Sequence, residues 1–135
     1  MKPCVYIETS GISYLTSRPS ENLRNAARQL SCRLWWELRG IKFDPFISRL
    51  VLDEASRGDP LAAERRLEVC EGVSLLSESE QARLLAERLV SAGGVPPTEP
   101  EDAMHIAIAT FEQMDFVGTL NFAHFASPKA KISEI

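Results

Sequence analysis

The stretch that most constrains the fold is a short apolar run at residues 5–7, which is followed by Glu8 and the two hydroxyl residues Thr9 and Ser10. A strand buried in a parallel sheet is apolar along its length and becomes polar where it leaves the sheet. In open α/β sheets, ligands bind beyond the carboxyl ends of the strands. Glu8 is therefore predicted to lie at the edge of the sheet where such folds carry out chemistry. The alternative is that Glu8 is a solvated residue at the start of a turn.

The composition indicates one ordinary domain spanning residues 1–135, with 44% hydrophobic and 25% charged residues. No apolar run approaches the ~20 residues of a membrane helix, and the amino terminus lacks the pattern of a signal peptide. The three cysteines are widely spaced, which predicts reduced thiols in a cytoplasmic protein rather than a zinc site. A net charge of −4 gives no general attraction to nucleic acid, so a polyanion would have to be bound locally, by a basic patch or by metal ions.

The rest of the chain predicts strands that alternate with helices. Three further strands are expected at 43–48, 73–76 and 116–120. Helices are expected at 10–16, 21–39, 49–55, 61–69 and 101–111, and a further one is expected to open at Ser77 or Ser79 and to end at Gly93 and Gly94. This alternation predicts a parallel sheet with helices on both faces.

Local signals refine these elements. Thr9 or Ser10 is expected to cap the first helix and Ser20 the second. Pro45 predicts that the second strand lies at an edge of the sheet or begins at the proline. The helix at 101–111 is apolar on most sides, so it is expected to be buried.

Four polar groups stand out near the predicted strand ends: Glu8, Glu54, Asp102 and Asn121. Parallel strands would bring Glu8 and Asn121 to one edge, and Asp102 would join them if its helix points its amino end there. A carboxylate near an apolar core is costly unless it is paired or binds a cation. Oxygen ligands without His or Cys select Mg²⁺ or Mn²⁺, and such ions support chemistry at phosphate esters.

Each group also has a purely structural interpretation. Asp102 could be an acid favoured by the helix dipole, Glu54 a surface residue paired with Arg57, and Asn121 a turn residue. His105, on the same helix as Asp102, is expected to be packed or hydrogen-bonded rather than to act as a base.

Four segments, VYIETSGISYLT, LVLDEASRGDPLAAERR, EDAMHIAIA and FVGTLNFAHFA, together resemble the PIN-domain family in this order. The nearest likeness is to bacterial toxins of the VapC-like type. The resemblance implies a three-layer α/β/α sandwich and an endoribonuclease that depends on Mg²⁺ or Mn²⁺. It also implies RNA as the substrate, an antitoxin protein as a partner and a homodimer as the assembly.

By motif position, the resemblance assigns Glu8, Glu54 and Asp102 to the first three acids of the family, and Asn121 to the fourth position. Family members usually carry Asp where this chain has Glu8, and many carry an acid where it has Asn121. Three negative charges remain, so the resemblance implies one principal ion and a second that is held weakly until substrate phosphate arrives.

The resemblance further places Ser10 and Thr119 at hydroxyl positions that support the site. The closing strand of the family, with its Thr-Pro segment, has no counterpart here, so a sheet without that strand is expected. These departures keep open a catalytically inactive PIN-like module that binds a protein or RNA. A nucleotide-binding α/β protein is disfavoured, because no GxGxxG or GxxxxGK[ST] motif follows a strand.

The second predicted helix carries the features expected to contact partners. Because Trp35 and Trp36 are adjacent, one of the two is expected to face outward at an interface; a core or partner role is favoured over base stacking. Arg24 and Arg28 lie one turn apart and are expected to form a solvated helix face. His124 is expected near the site in a structural role.

Overall fold

The computed structural model describes residues 2–118. Thr119, Asn121, His124 and the end of the predicted fourth strand lie outside these residues. The described elements, in chain order, are β1 (Cys4–Ile7), α1 (Thr9–Thr16), α2 (Leu23–Trp36), β2 (Asp44–Ser48), α3 (Arg49–Ala55), α4 (Pro60–Cys70), β3 (Ser74–Leu76), α5 (Glu80–Ser91), α6 (Pro100–Phe111) and β4 (Phe116–Gly118).

All four described strands are parallel and form one sheet in the order β3-β2-β1-β4. Strand β1 lies inside the sheet, where Tyr6 pairs with Phe46 on one side and Val117 on the other. Residues Val5 to Ile7 are almost fully buried, as the apolar run predicted. The ends of β1 and β4 therefore lie side by side, and this brings the residues after each strand to one edge.

The helices pack in two groups: α1 contacts α2, α3 and α4, whereas α5 contacts α6. Together with the parallel sheet they form the expected α/β/α sandwich. Helix α6 is buried along most of its length, as its apolar sequence predicted. In the described part of the chain, no helix is both long enough and apolar enough to cross a membrane.

The predicted edge position of β2 is wrong, because β2 lies between β1 and β3. Pro45 is the second residue of this strand and pairs with Val5 of β1. The pairing of β2 with β3 begins only at Phe46, which lies opposite Ser74. At Pro45, strand β2 therefore has a neighbour on the β1 side only. The N–H group that proline lacks is not needed for a hydrogen bond to β3.

Two predicted helix starts are also wrong. Helix α1 is capped by Glu8 rather than by Thr9 or Ser10, because the Glu8 carboxylate accepts a hydrogen bond from the N–H of Gly11. Helix α2 is capped by Asn22 and ends at Trp36, so it is shorter than predicted at both ends. The predicted cap of α2, Ser20, instead accepts a bond from the N–H of Asn22.

Helix α2 buries a narrow face. Its buried residues are Gln29, Cys32 and Trp36, whereas Leu23, Leu30 and Leu34 are exposed. These leucines lie about one or two turns apart on the helix and form an apolar surface exposed to solvent.

Both tryptophans of α2 pack against the core, which agrees with the expected core role. Trp36 is buried, and the half-buried ring of Trp35 stacks on Phe43 with centroids 4.0 Å apart. Arg24 and Arg28 are exposed, as expected.

Candidate active site

Glu8 begins the polar edge of the sheet. Its backbone N–H donates to the carbonyl of Gly118 at 3.2 Å, which joins the end of β1 to the end of β4. The backbone N–H groups of Ser10 and Gly11 both interact with the Glu8 carboxylate. A Cβ atom on Gly11 would lie 3.0 Å from the Gly118 carbonyl oxygen. The first turn of α1 can therefore approach β4 this closely because residue 11 has no side chain.

The half-buried carboxylate of Glu8 is electrostatically disfavoured in its charged form. Burial raises its pKa, and the negative charge of Asp102 raises it further. His105 and the two backbone N–H groups lower the pKa, but they do not outweigh burial. Within residues 2–118, Glu8 forms no ion pair with a Lys or Arg side chain. A cation at this position would relieve the cost of burying the charge.

Glu54 has the opposite surroundings. The Oγ1 hydroxyl of Thr9 donates to its Oε1 at 2.5 Å, and His105 Nε2 lies 2.6 Å from the same oxygen. Burial alone would raise the pKa of Glu54, but hydrogen bonds from His105, Glu101 and Thr9 outweigh it, and the pKa is lowered. The structural alternative for this residue is wrong, because Arg57 pairs with Glu101 at 3.2 Å instead of Glu54.

His105 is buried and hydrogen-bonded through both ring nitrogens, as expected. Its Nδ1 lies 2.6 Å from the Tyr6 hydroxyl, which in turn lies 2.7 Å from Ser48 Oγ. Ser48 also caps α3 by accepting from the N–H of Val51. Burial raises the pKa of Tyr6, so its hydroxyl keeps its proton at neutral pH.

Asp102 lies in the first turn of α6, as predicted, and is exposed. Glu99 and Glu101 lie at the same end of the helix. Contact with Asp102 raises the pKa of Glu99, and contact with Glu54 raises the pKa of Glu101. Because Glu101 approaches Glu54, and because the charge of Asp102 acts on Glu8, the amino end of α6 points to the edge that carries both acids.

Of the four predicted site residues, three are described, and the structure brings them to one edge of the sheet. Glu8 and Asp102 interact electrostatically, and His105 links Glu54 to this group. In residues 2–118, no group of three His, Cys, Asp or Glu side chains is arranged to hold a metal ion. The fourth predicted ligand, Asn121, lies outside those residues.

Several contacts at the site had only weak signals in the sequence. Thr9 was given only a capping role in the sequence, yet its hydroxyl donates to the site acid Glu54. Tyr6 was assigned to the apolar strand, although its position two residues before Glu8 offered a polar tip near the site. Glu101 was assigned to the helix start alone.

The donors at this edge suit a hard divalent cation. They are carboxylate oxygens, which Mg²⁺ and Mn²⁺ prefer, and the disfavoured charge of Glu8 beside that of Asp102 is the environment that a cation stabilises. Glu54, with a lowered pKa and one oxygen held by two donors, suits the orientation of a water or a cation.

No protein family model matches the sequence, and no curated protein sequence matches it. The structure is similar to that of VapC20 from Mycobacterium tuberculosis, a toxin that cleaves the sarcin–ricin loop. The superposition has a TM-score of 0.68 and covers 90% of this chain and 96% of VapC20, at 15% sequence identity. The chain therefore has the PIN-like fold of this toxin.

Proposed function

We propose that this protein is an endoribonuclease that uses Mg²⁺ or Mn²⁺ to cleave RNA phosphodiester bonds, as the toxin of a toxin–antitoxin pair. The observation that carries the proposal is the half-buried Glu8 at the carboxyl edge of a parallel sheet, where it has no Lys or Arg partner in residues 2–118 and feels the like negative charge of Asp102 from the first turn of α6. The likeness to a toxin that cleaves the sarcin–ricin loop supports RNA as the substrate. A structured RNA loop of that kind is the first substrate to test.

The residues proposed to hold the ion are Glu8, Asp102 and Asn121. When bound, the ion supplies activation of the attacking water and neutralises charge that builds up on the phosphate. Glu54, whose Oε1 is held by Thr9 and His105, orients the attacking water or helps to hold a second ion. Ser10 and Thr119 are proposed as supporting residues, and the N–H of Ser10 interacts with Glu8.

The proposed reaction is a hydrolysis. Water attacks a backbone phosphorus in line, the bond from phosphorus to the 3′ oxygen breaks, and the leaving oxygen takes up a proton. The expected products carry a 5′-phosphate and a 3′-hydroxyl, and this end chemistry can be read directly with a kinase or a phosphatase.

The second candidate function is an inactive PIN-like module that binds a protein partner or RNA. It is favoured by the absence of a three-residue metal site within residues 2–118. The exposed leucines of α2, with Leu23 at 85% exposure, offer an apolar surface for a partner such as an antitoxin or a second copy of the chain. Titration with Mn²⁺ separates the two functions, because an inactive module does not need to bind the ion.

The decisive experiment is cleavage of a labelled, structured RNA in Mn²⁺, in Mg²⁺ and in EDTA. We expect cutting that requires the metal and is lost in Asp102→Asn. Asp53→Asn is the matched control, because Asp53 is an exposed carboxylate beside Glu54 on α3. Full activity of a purified Asp102→Asn protein would overturn the site assignment. A folded wild-type protein that binds no Mn²⁺ and cuts nothing would favour the inactive module.

A further inference from the structure

A continuous chain of buried hydrogen bonds begins and ends on α3. It starts at Ser48, the cap of α3, and passes through Tyr6 on β1 and His105 on α6 to Glu54, in the last turns of α3. Its three links are 2.6–2.7 Å long. Ser48 and Tyr6 are fully buried, and His105 is only 3% exposed. The chain therefore ties two strands and two helices to one carboxylate.

The donors and acceptors give this chain a direction. Ser48 Oγ accepts from the N–H of Val51, so its own proton is available for the Tyr6 oxygen. The Tyr6 proton is then directed to His105 Nδ1, which places a ring proton on Nε2, facing Glu54. With this polarity both hydroxyl groups and both ring nitrogens of the chain have partners, and no buried side-chain N or O atom in residues 2–118 lacks one.

The same geometry places two hydrogen-bond donors on one oxygen of Glu54. Thr9 and His105 both act on Oε1, and Glu101 interacts with the same carboxylate. Two donors on one oxygen fix the rotation of a carboxylate, and buried side chains that are themselves hydrogen-bonded hold those donors in place.

We propose that His105 is a positioning residue for the ribonuclease site: with Tyr6 and Ser48 behind it, it fixes the rotation of the Glu54 carboxylate at the edge that receives the reacting phosphate. This inference rests on the proposed function and assigns to His105 a role beyond packing. Tyr6 acts through His105, and His105 acts through Glu54. Loss of either residue should therefore reduce the rate only while Glu54 is present.

The first test does not use activity. Long-range ¹H–¹⁵N NMR spectra of the metal-free protein report which ring nitrogen of His105 carries the proton. The chain contains two histidines, so a His124→Gln variant assigns the signals. We expect the Nε2-protonated tautomer in the wild type. A ring protonated only on Nδ1 would overturn the proposal, because His105 could not then donate to Glu54.

The second test is kinetic. We expect His105→Leu to lower kcat by about 10- to 100-fold, the usual effect of removing a hydrogen-bond partner of a ligand. His105→Gln keeps an N–H donor and should recover part of this loss, and Tyr6→Phe should cost less than His105→Leu. In a Glu54→Gln background, His105→Leu should lower kcat by less than about twofold, because residues that act through one group do not add.

The outcomes separate this inference from the proposed function. A wild type that cleaves RNA, loses activity in Asp102→Asn and keeps it in a folded His105→Leu protein would overturn this inference alone. The inference would also be overturned if the fold-losses in kcat of His105→Leu and Glu54→Gln multiply in the variant that carries both substitutions. A wild type that cuts no RNA would overturn the proposed function, and with it the role of His105. If His105→Leu does not fold, His105→Gln and Tyr6→Phe carry the same comparison with Glu54→Gln.

Discussion

Glu54 and Glu8 lie at the same edge of the sheet, but their surroundings act on their charges in opposite directions. Glu54 receives hydrogen bonds from Thr9 and His105, and its pKa is lowered. Glu8 is half-buried near the like charge of Asp102, and its pKa is raised. One carboxylate is stabilised by the folded chain, whereas the other is held at a cost.

This difference suggests that the two acids have different roles in the proposed site. Around Glu54, the hydroxyl of Thr9 and the ring of His105 both bond to the carboxylate, and no buried side-chain N or O atom in residues 2–118 lacks a partner. The region around Glu8 and Asp102 lacks a positive partner of its own in residues 2–118. A cation would change the second region far more than the first, and this expectation can be tested on stability alone.

The largest expected effect is the response of stability to Mn²⁺. If Glu8 binds the ion, Mn²⁺ at about 100 times its Kd should stabilise the wild type by about 2.7 kcal/mol, a Tm increase of roughly 10 °C. Glu8→Gln should lose most of this increase, and Asp53→Asn should keep it. The same Tm increase in Glu8→Gln, measured by differential scanning fluorimetry, would place the ion elsewhere.

The next effect concerns the Glu54 region without metal. Glu54→Leu removes the acceptor of two donors and leaves the N–H of His105 buried without a partner. We expect a loss of about 2 kcal/mol in the free energy of unfolding. Asp53→Leu, the exposed neighbour on the same helix, should change it by less than about 0.5 kcal/mol. Urea denaturation of both variants in EDTA measures the difference, and equal losses would contradict a special role for the Glu54 bonds.

The sequence predicted the parts of this comparison that depend on periodicity. The apolar run before Glu8 and the apolar helix around His105 placed β1 and α6 correctly, because burial in a parallel sheet leaves a strong pattern. The position of Asp102 in the first turn of α6 followed from the same pattern.

The details that separate Glu8 from Glu54 were not predictable in this way. The cap of α1 is Glu8, which is an uncommon cap, and its selection depends on how closely Gly11 approaches β4. The bonds Tyr6–Ser48, Tyr6–His105 and His105–Glu54 join residues that lie 42, 99 and 51 positions apart. Such contacts depend on the order of the strands, and Pro45 pointed to the wrong order.

A smaller effect should appear for Glu8 in the absence of metal. Replacement by Gln removes a charge that burial disfavours, so Glu8→Gln should be slightly more stable than the wild type in EDTA. We expect a gain of only about 0.5 kcal/mol. The neutral amide accepts weaker hydrogen bonds from the α1 backbone than the carboxylate does, and this offsets part of the benefit of removing the charge. A residue that lowers stability yet is needed for activity is typical of functional sites. A clear loss of stability in urea denaturation would show that capping of α1 outweighs the cost of the charge.

The smallest effect is the dependence of stability on pH, where the two acids should act with opposite signs. The folded pKa of Glu8 is raised above 4.5, so the folded state binds its proton more tightly than the unfolded state. As pH falls from neutral towards 4.5, the wild type should therefore gain stability relative to Glu8→Gln. The folded pKa of Glu54 is lowered below 4.5, so its contribution is present above pH 4.5 and is lost as pH falls further. Unfolding curves of the wild type, Glu8→Gln and Glu54→Gln between pH 7 and pH 3 should separate the two slopes. If both variants shift the pH profile in the same direction, the contrast between the two surroundings is wrong.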